Sequence, residues 1–560
     1  MRSELTAITL SAILLAACGG ADRFPMREPM SNDDDKQPFA PMPQEYYSPF
    51  AWDGANQTIF YPVSRFWAVD PGGEATNVNA LGEVPDSSWF INRLGTTTMD
   101  LETLANAACG DEPPLDARGP WTAVSAKANG ANPGFVIADP GGRRFVIKFD
   151  SPNQPERATA ADVIGSVLYW AAGYHAPCNR VLFFDRAMVG IDPDAKAKDE
   201  LGNEVPLAQH HLDNAWNKGF VLPDGRNRAS ASQFIEGRPI GPWKYQGTRD
   251  DDLNDVVPHE DRRELRGAYV LASWINHFDS REQNTLSAWI DEDGTNGHVR
   301  HYYIDFGDCF GSMWAFDGIS RRLGHSNYLD VGDVVGDFLT LGLLDRPWHQ
   351  ARLGATGNVL GYYGVERFEP DAWEPGYPNP AFSRATERDA AWMARIIARF
   401  DEPMVRRVVD RARLDDRFVH GEIVRLLLER QRLILTRWFR RISPLASPRI
   451  VDAPEGAALC LEDLAVTAGV MSPRARLYRA QAWVGERREH RPLQFVPAAD
   501  TRHACVALPD MDGVSSDRPG YMIVDVAGLG GSDDDQSGPA RVHVYQRGAG
   551  LYTVVGLERP

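Results

Sequence analysis

The sequence predicts an α+β protein with a β-rich first part, a helical middle and a small all-β end. Three observations indicate this order. Short apolar runs separated by Gly- and Pro-containing turns lie within residues 121–149. Helix-periodic patterns occupy residues 258–276 and several segments between 331 and 442. Beyond a Ser- and Pro-rich boundary at 443–448, alternating runs within 476–557 are typical of strands in a small sandwich or sheet.

Length and charge limit the classes of function. A chain of 560 residues is long enough for two or more domains, and 43% hydrophobic with 24% charged residues is an ordinary globular balance. The net charge of −18 argues against a nucleic-acid partner, because phosphate backbones select basic protein surfaces. The six cysteines form no Cys-x-x-Cys pair, so no zinc site is expected.

An apolar run close to the start of the chain predicts an export signal. Residues 5–17 are too few to span a membrane and end in Leu-Ala-Ala-Cys-Gly, where the cysteine is Cys18. This stretch resembles a bacterial lipobox, in which the cysteine is lipidated and becomes the first mature residue. The alternative is an ordinary secretory signal with a chance cysteine. Gly19 in place of Asp favours the outer membrane, so the resemblance implies a lipid-anchored protein of the bacterial cell envelope.

The segment after this signal has no periodicity. Residues 19–45 are rich in Pro, Met and Asp, which predicts a disordered tether.

Polar residues with a characteristic spacing follow the helix predicted over 258–276. They are His277, Asp279, Arg281 and Asn284, and after a predicted β-hairpin Asp305-Phe306-Gly307. An Asp five residues ahead of an Asn can place a carboxylate against an attacking hydroxyl and an amide against a metal ion. A second Asp can hold Mg²⁺ across nucleotide phosphates. The spacing therefore predicts a phosphotransfer site.

These residues resemble the His-x-Asp-x-(Lys/Arg)-x-x-Asn catalytic loop and the metal motif of the protein-kinase-like superfamily. The Ile-Asp-Phe-Gly form is more similar to the phosphoinositide-kinase and atypical-kinase branches than to ordinary protein kinases. The resemblance implies two lobes with ATP and Mg²⁺, or Mn²⁺, between them. It implies that Asp279 accepts the acceptor's proton, that Arg281 lies near the transferred phosphate, and that Asn284 and Asp305 hold the metal. It gives His277 the role of a structural post for the loop.

A lysine inside a predicted strand is the upstream candidate for nucleotide binding. Lys148 lies in the apolar run 145–149, where a charged side chain needs a partner. The resemblance implies that it binds the α- and β-phosphates. Gly130 and Gly134, in and after the preceding loop, would let backbone N–H groups approach phosphate without a Cβ in the way.

Two carboxylates are candidates for holding Lys148. Glu156 lies eight residues on, a spacing similar to that of phosphoinositide kinases, and it is the favoured partner. Asp162, in the middle of the next predicted helix, is the alternative. Further along, residues 230–237, which include Glu236, resemble the hinge that joins kinase lobes and binds the adenine edge.

The chain then divides into five predicted segments. They are a signal (1–18), a tether (19–45), an N-terminal extension with the first lobe (46–236), a helical lobe (237–446) and a β domain (447–560). In the last segment, Cys460 and Cys505 both lie beside apolar strand residues, which favours a cross-strand disulfide between them.

The function that this combination predicts is an exported, lipid-anchored, kinase-like phosphotransferase that uses MgATP. No Ala-Pro-Glu follows Gly307, so the acceptor stays unknown. Two alternatives remain open at this point. One is a nucleotide-binding pseudokinase that acts as an interaction module, and the other is a nucleotidyltransferase that uses the same residues with the nucleotide reversed.

Overall fold

The first lobe is built on a seven-stranded sheet. The computed structural model describes residues 23–47, 50–66, 72–95, 97–126, 133–198, 204–454, 456–485, 489–530 and 537–560. The strands of this sheet are β1 Trp121–Ala126, β2 Gly134–Ala138, β3 Arg144–Phe149, β4 Asn179–Phe184, β5 Val189–Lys198, β6 Glu204–Pro206 and β7 Asn227–Gln233. They lie in the order β4-β7-β3-β2-β1-β5-β6, and every pair is antiparallel except β1 with β5.

Among the described residues, three α-helices precede the strands of this sheet along the chain and two lie between them. In chain order they are α1 Phe50–Ala55, α2 Tyr61–Phe66, α3 Leu101–Asn106, α4 Arg157–Ala172 and α5 Gln209–Lys218. Almost every residue of α4 is buried, because its Ala-rich sequence lets both the sheet and the helical lobe approach closely. Gly173, with φ of 132°, ends the helix. A disulfide between Cys109 and Cys178 ties the chain that follows this helix to the segment after α3.

The second lobe is mainly helical. Its helices are α6 Arg263–Ile275, α7 Asp317–Arg322, α8 Val331–Leu339, α9 Pro380–Ser383, α10 Glu387–Ile397, α11 Glu402–Asp410 and α12 Arg417–Phe439. A three-stranded sheet of β8 Arg238–Gly241, β9 Thr285–Asp291 and β10 Gly297–Tyr303 lies beside the connection between the lobes, in the order β10-β9-β8. The hairpin of β9 and β10 is the one that the sequence predicts.

The last part of the chain is a β domain with two sheets. Its strands are β11 Leu445–Ala453, β12 Gly456–Asp463, β13 Leu477–Val484, β14 Glu489–Pro492, β15 Phe495–Val496, β16 His503–Ala507, β17 Gly520–Leu529, β18 Ala540–Gly548 and β19 Leu551–Glu558, with a one-turn helix α13 Leu464–Thr467. The sheets have the orders β11-β12-β16-β15 and β14-β13-β17-β18-β19, and they share one apolar core. Cys460 and Cys505 are opposite each other on β12 and β16 and form a disulfide, as predicted.

The architecture confirms the predicted fold class: a β-rich lobe, a helical lobe and a separate all-β domain. Helix α4 shares one continuous apolar core with the helices of the second lobe, so the two lobes are held together where the predicted site lies. None of the described helices combines the length and apolar character that a bilayer-spanning segment needs.

The predicted disordered tether is corrected for the part that the structure describes. Residues 23–47 lie along the folded chain, and we call this segment the strap. Asp35 is 5% exposed and accepts hydrogen bonds from the backbone and hydroxyl of Ser88. Phe39 is 8% exposed and exchanges backbone hydrogen bonds with Gly297 at the start of β10. These contacts bridge distant residues, so composition alone does not reveal them.

Candidate active site

Lys148 forms an ion pair with one carboxylate from each of the two lobes. It lies in β3, where its side chain is 9% exposed, and its Nζ is 2.9 Å from Asp305 Oδ1 and 3.2 Å from Asp162 Oδ1. Burial alone would lower the pKa of Lys148, but the two carboxylates outweigh burial and raise the pKa above its usual value. The side chain is therefore held as a cation in the cleft.

The carboxylate from α4 that holds Lys148 is Asp162, and the preference for Glu156 is wrong. Asp162 is completely buried; its second oxygen accepts a hydrogen bond from Ser230 on β7, at 2.8 Å. Glu156 precedes α4 in a left-handed conformation, with φ of 67°. Its side chain forms an ion pair with Arg228 at 3.4 Å instead. Six residues separate the two acids, so they lie on different faces of the helix.

The other predicted nucleotide-binding residues have different surroundings. Gly134 is on β2 opposite Lys148, and a Cβ there would lie 2.1 Å from the carbonyl oxygen of Ile147, so the close approach of β2 to β3 requires glycine. Gly130 lies outside the described residues. Glu236 lies between β7 and β8, at the connection between the lobes, where its exposed carboxylate pairs with Arg300 at 2.6 Å.

The predicted catalytic loop begins where α6 ends. Asn276, with φ of 53°, is the left-handed cap of this helix, and the chain continues directly into His277. The Nδ2 of Asn284 donates to the carboxylate of Asp279 and to its backbone carbonyl, both at 2.8 Å. The loop therefore closes on itself through the two residues that the motif spacing singles out.

Asp279 and Arg281 are paired. The Nε of Arg281 is 3.2 Å from Asp279 Oδ1, and its Nη1 is 3.4 Å from Asp53 Oδ2 on α1. Burial raises the pKa of Asp279 to about 7, with Arg281 and Asn284 opposing the rise and Asp308 adding to it. A carboxyl group with a pKa close to neutrality can take up and release protons under physiological conditions.

Asp305 has a strained backbone. Its φ of 58° is in the left-handed region, which is rare for a residue with a side chain and concentrates at functional sites. The following Phe306 is completely buried and packs against α4 at Gly165, where a Cβ would lie 2.5 Å from Phe306 Cβ. This contact fixes the position of the Asp-Phe-Gly segment. In that position the Asp305 carboxylate lies against Lys148.

His277 has the predicted structural role. It is buried, its Nδ1 is 3.0 Å from Tyr169 Oη on α4, and its ring is 5.4 Å from that of Phe306. Burial lowers the pKa of His277 to about 4, so the ring is neutral at physiological pH. A neutral ring between α4 and the metal motif holds the loop in place and carries no charge into the site.

Three residues that contact or influence the candidate site were not predicted from the sequence. Asp53, in a segment with no motif, is 4% exposed and reaches Arg281 from the N-terminal extension. Arg157 donates to the carbonyl oxygens of Gly307 and Cys309 at 2.6 and 3.0 Å, and so supports the segment after the metal motif. Asp308 acts on the pKa of Asp279. Only Asp308 had a visible signal, since it directly follows Gly307.

Comparison with known proteins found little. Neither a protein-family model nor a curated protein matches the chain. Among solved structures, the chain is similar to a crystal structure of the Golgi casein kinase, with a TM-score of 0.24 and 14% identity over 54% of this chain and 78% of the other. It is also similar to a crystal structure of the Golgi casein kinase with Mn/ADP bound, with a TM-score of 0.24 and 12% identity over 60% of this chain and 83% of the other. At this level of likeness, functional conclusions depend on the geometry of the site itself.

Proposed function

We propose that the protein is an ATP-dependent phosphotransferase whose site lies between its first and second lobes. One observation carries the proposal: the buried ammonium group of Lys148 lies between a carboxylate of α4 and the carboxylate of Asp305, beside a loop closed by Asp279 and Asn284. Phosphoryl transfer requires mainly positioned charges, namely cations on the phosphates, oxygen ligands for a metal and one carboxylate near the nucleophile.

The donor set fits a nucleotide with a divalent ion. Asn284 and Asp305 supply an amide and a carboxylate, the oxygen ligands that Mg²⁺ and Mn²⁺ prefer. Among the described residues, no group of three or more His, Cys, Asp and Glu side chains could hold a metal by itself. Two protein ligands are typical for an ion that is also held by substrate phosphates. When bound, MgATP supplies the transferable phosphoryl group.

Each polar group of the site then has a role. Lys148 binds the α- and β-phosphates, and Asp162 keeps its ammonium group charged and oriented. Asp279 would accept the proton of the acceptor hydroxyl on its carboxylate, a task suited to a pKa of about 7, as that oxygen attacks the γ-phosphorus of ATP. The bond from this phosphorus to the oxygen bridging the β-phosphate would break, and ADP would leave. Arg281 lies 3.2 Å from Asp279 and stabilises the negative charge that develops beside it.

We further propose that the protein works outside the cytoplasm, anchored by a lipid on Cys18. Cys18 lies outside the described residues, so the sequence pattern alone supports lipidation and the outer-membrane location. Export itself is supported by the two disulfides, Cys109–Cys178 and Cys460–Cys505, because such bonds persist in oxidising compartments. Cys309 is the remaining thiol of the described residues and is buried.

Nucleotide binding tests the site directly. MgATP at one hundred times its dissociation constant should raise the free energy of unfolding of the full chain by about 2.7 kcal/mol. Asp305→Asn should abolish this stabilisation because it removes a metal ligand. The matched control is Asp517→Asn, which changes an exposed aspartate of the β domain and should leave the stabilisation intact. If millimolar MgATP does not stabilise the wild-type protein, the proposal is rejected.

The position of a radioactive label then distinguishes the alternatives. With protein, lipid and sugar acceptors, transfer of label from the γ-position of ATP supports the phosphotransferase. Transfer from the α-position identifies a nucleotidyltransferase. Stabilisation by nucleotide without transfer from either position identifies a pseudokinase.

A further inference from the structure

A small cavity lies where the second lobe, the N-terminal extension and the β domain meet. Its volume is about 210 Å³, and four arginines line it: Arg263 of α6, Arg388 and Arg395 of α10, and Arg559, which follows β19. Arg388 and Arg395 are seven residues apart, or about two helical turns, so they project from the same side of α10. Guanidinium groups from three separate segments therefore line one small space.

Arg559 is the arginine of this cavity whose charge is not compensated. It is 8% exposed and has no ion-pair partner among the residues that the structure describes. Its Nε donates to the carbonyl oxygen of Ser443 at 3.2 Å and its Nη2 to that of Leu445 at 2.9 Å, whereas its Nη1 has no hydrogen-bond partner in that part of the chain. The other three arginines each form an ion pair of 2.9–3.5 Å: Arg263 with Asp389, Arg395 with Glu83, and Arg388 with Glu74.

The buried charge of Arg559 favours a bound anion. A guanidinium group keeps its proton at neutral pH, so it cannot become neutral to relieve its burial. Burial and, after it, repulsion from Arg395 lower the pKa of Arg559; Glu83 opposes this effect and Arg263 adds to it. The two carbonyl oxygens orient the side chain but bring no negative charge, and a buried cation without an anion is costly. An anion in the cavity removes that cost.

The walls of the cavity are fixed by contacts between distant segments. The backbone N–H of Leu557 on β19 donates to the carbonyl oxygen of Ala80 at 2.8 Å. Arg263 Nη1 donates to the carbonyl oxygen of Gly82 at 3.0 Å. The space therefore exists without a ligand, and its size sets a limit, because sites for drug-sized molecules measure about 300–1,000 Å³. A cavity of about 210 Å³ suits a small ion.

The geometry of the donors indicates which small anion fits. Arginine binds oxyanions through pairs of parallel hydrogen bonds. Guanidinium groups from three segments match the four oxygens of a tetrahedral ion better than the two coplanar oxygens of a carboxylate. Two acids also line the cavity, but Glu74 is 46% exposed and Glu558 is 44% exposed, so solvent screens their charges. Each also has a partner of its own, since Glu74 pairs with Arg388 and Glu558 lies 3.0 Å from His543.

We propose that this cavity binds a tetrahedral oxyanion, phosphate or sulfate, through Arg559 together with Arg263, Arg388 and Arg395. The ion contacts α10 of the second lobe and the end of the β domain at once, so it holds these two parts together. The inference depends on this junction and not on the cleft around Lys148. It therefore holds whether or not the protein transfers phosphate.

Isothermal titration of the full chain with sodium phosphate, sodium sulfate and sodium acetate tests the proposal at constant ionic strength. Phosphate or sulfate should bind about tenfold or more tightly than acetate, and the tighter of the two identifies the ion. The titration is repeated with Lys148→Ala, which lacks the cation of the proposed nucleotide site. Its affinity for the oxyanion should equal that of the wild type.

Substitutions locate the binding. Arg388→Gln should weaken it by about tenfold or more, because a charge-assisted hydrogen bond is lost. It should not lower the melting temperature, since Arg388 is 46% exposed and its ion pair lies at the surface. The matched control is Arg226→Gln, which changes a similarly exposed, paired arginine of the first lobe and should leave binding unchanged. Arg559→Lys keeps a positive charge but loses the planar guanidinium, and it should also weaken binding.

Diffraction keeps the proposal testable if a variant fails to fold. Selenate, a sulfate analogue with an anomalous signal, should appear in this cavity in crystals of the wild-type protein. Four results would overturn the inference: no binding of phosphate or sulfate at millimolar concentration, equal binding of acetate, loss of binding in Lys148→Ala, and undiminished binding by a folded Arg388→Gln variant. Selenate found only elsewhere would overturn it as well.

Discussion

Helix α4 links two buried charge clusters that look alike in composition but differ in exposure. The cleft cluster consists of Lys148, Asp162 and Asp305, and its Asp305 side chain is 27% exposed. The closed cluster consists of Arg228, Asp150 and Glu156; Arg228 and Asp150 are fully buried, and Glu156 is 13% exposed. A buried ion pair is therefore no functional signal by itself. The cluster that belongs to the proposed site is the one that keeps a carboxylate open to the cleft.

The closed cluster also satisfies its own donors. Arg228 donates to the carbonyl oxygens of Ala412 and Arg413 at 2.6 and 2.7 Å and to the hydroxyl of Thr159 at 2.9 Å. The bonds to Ala412 and Arg413 join the first lobe to the chain directly after α11. We therefore expect the closed cluster to contribute to stability, and the cleft cluster, with the nearby predicted catalytic loop, to serve the proposed chemistry.

The largest expected effect is on the rate of transfer, and it should come from a substitution at Asp279 in the predicted catalytic loop. Asp279→Asn removes the proposed proton acceptor, so the rate of transfer should fall by about 10²–10⁴-fold. Binding of MgATP should survive, because Lys148, Asn284 and Asp305 are unchanged. Single-turnover rates and nucleotide titrations of the same preparations measure the two effects. Equal loss of binding and transfer would place Asp279 among the groups that hold nucleotide.

The pH profile of the wild type gives a second measure of this carboxylate. Burial raises the pKa of Asp279 to about 7, and only the ionised form accepts a proton. The rate should therefore fall as pH decreases through about 7, well above the ordinary range of an aspartate. An acid limb close to pH 4 would contradict this assignment.

A substitution in the closed cluster should lower the stability of the protein, whereas the substitution in the predicted catalytic loop should lower the rate of transfer. Arg228→Met removes the ion-pair partner of the fully buried Asp150, which should lower the free energy of unfolding by about 3–5 kcal/mol. Urea titration measures this loss. Arg226→Met is the matched control, because Arg226 is paired only at the surface and the expected change is within about 0.5 kcal/mol. Similar losses in both variants would show that the closed cluster has no special role.

The substitution Gly165→Ala tests whether the contact between α4 and Phe306 positions the Asp-Phe-Gly segment. A Cβ at this position would lie 2.5 Å from Phe306 Cβ, so Gly165→Ala should cost about 1–3 kcal/mol and weaken MgATP binding by displacing Asp305. Gly421→Ala, in α12 with no atom within 4 Å of the added Cβ, should instead stabilise the protein by about 0.4–1 kcal/mol. Normal MgATP binding by Gly165→Ala would show that Phe306 does not position Asp305.

The smallest expected effect separates Asp162 of α4 from Glu156, which precedes this helix. Asp162→Asn should weaken MgATP binding by about tenfold, or about 1.4 kcal/mol, because Lys148 loses a partner at 3.2 Å. Glu156→Gln should leave nucleotide affinity unchanged, since Glu156 contacts Arg228. Isothermal titration compares them; the reverse result would restore Glu156 as the partner of Lys148.

The role of Asp279, Asn284 and Asp305 in a site stays a prediction from a spacing that local chemistry explains. The structure pairs Asn284 with Asp279 and Asp305 with Lys148. Counting residues from Lys148 misassigned Glu156, because its left-handed backbone turns the side chain towards Arg228. A count along the chain contains no information about that turn.

Contacts between distant segments were beyond prediction for a different reason. The composition of the strap lacks periodicity and predicted disorder, yet Asp35 is buried against Ser88, and Phe39 is buried against Gly297 and Trp289. The contact of Asp53 with Arg281 is of the same kind. Such contacts depend on the finished tertiary structure and leave no pattern in the segment itself.

The strap also has a consequence for the order in which the chain folds. The backbone N–H of Phe24 donates to Tyr521 Oη, and its carbonyl oxygen accepts from Tyr545 Oη, across 497 and 521 residues of sequence. Contacts of such separation form late, because a long loop must close first. Phe24 is synthesised well before Tyr521 and Tyr545, so the strap cannot complete its contacts until synthesis has reached the β domain.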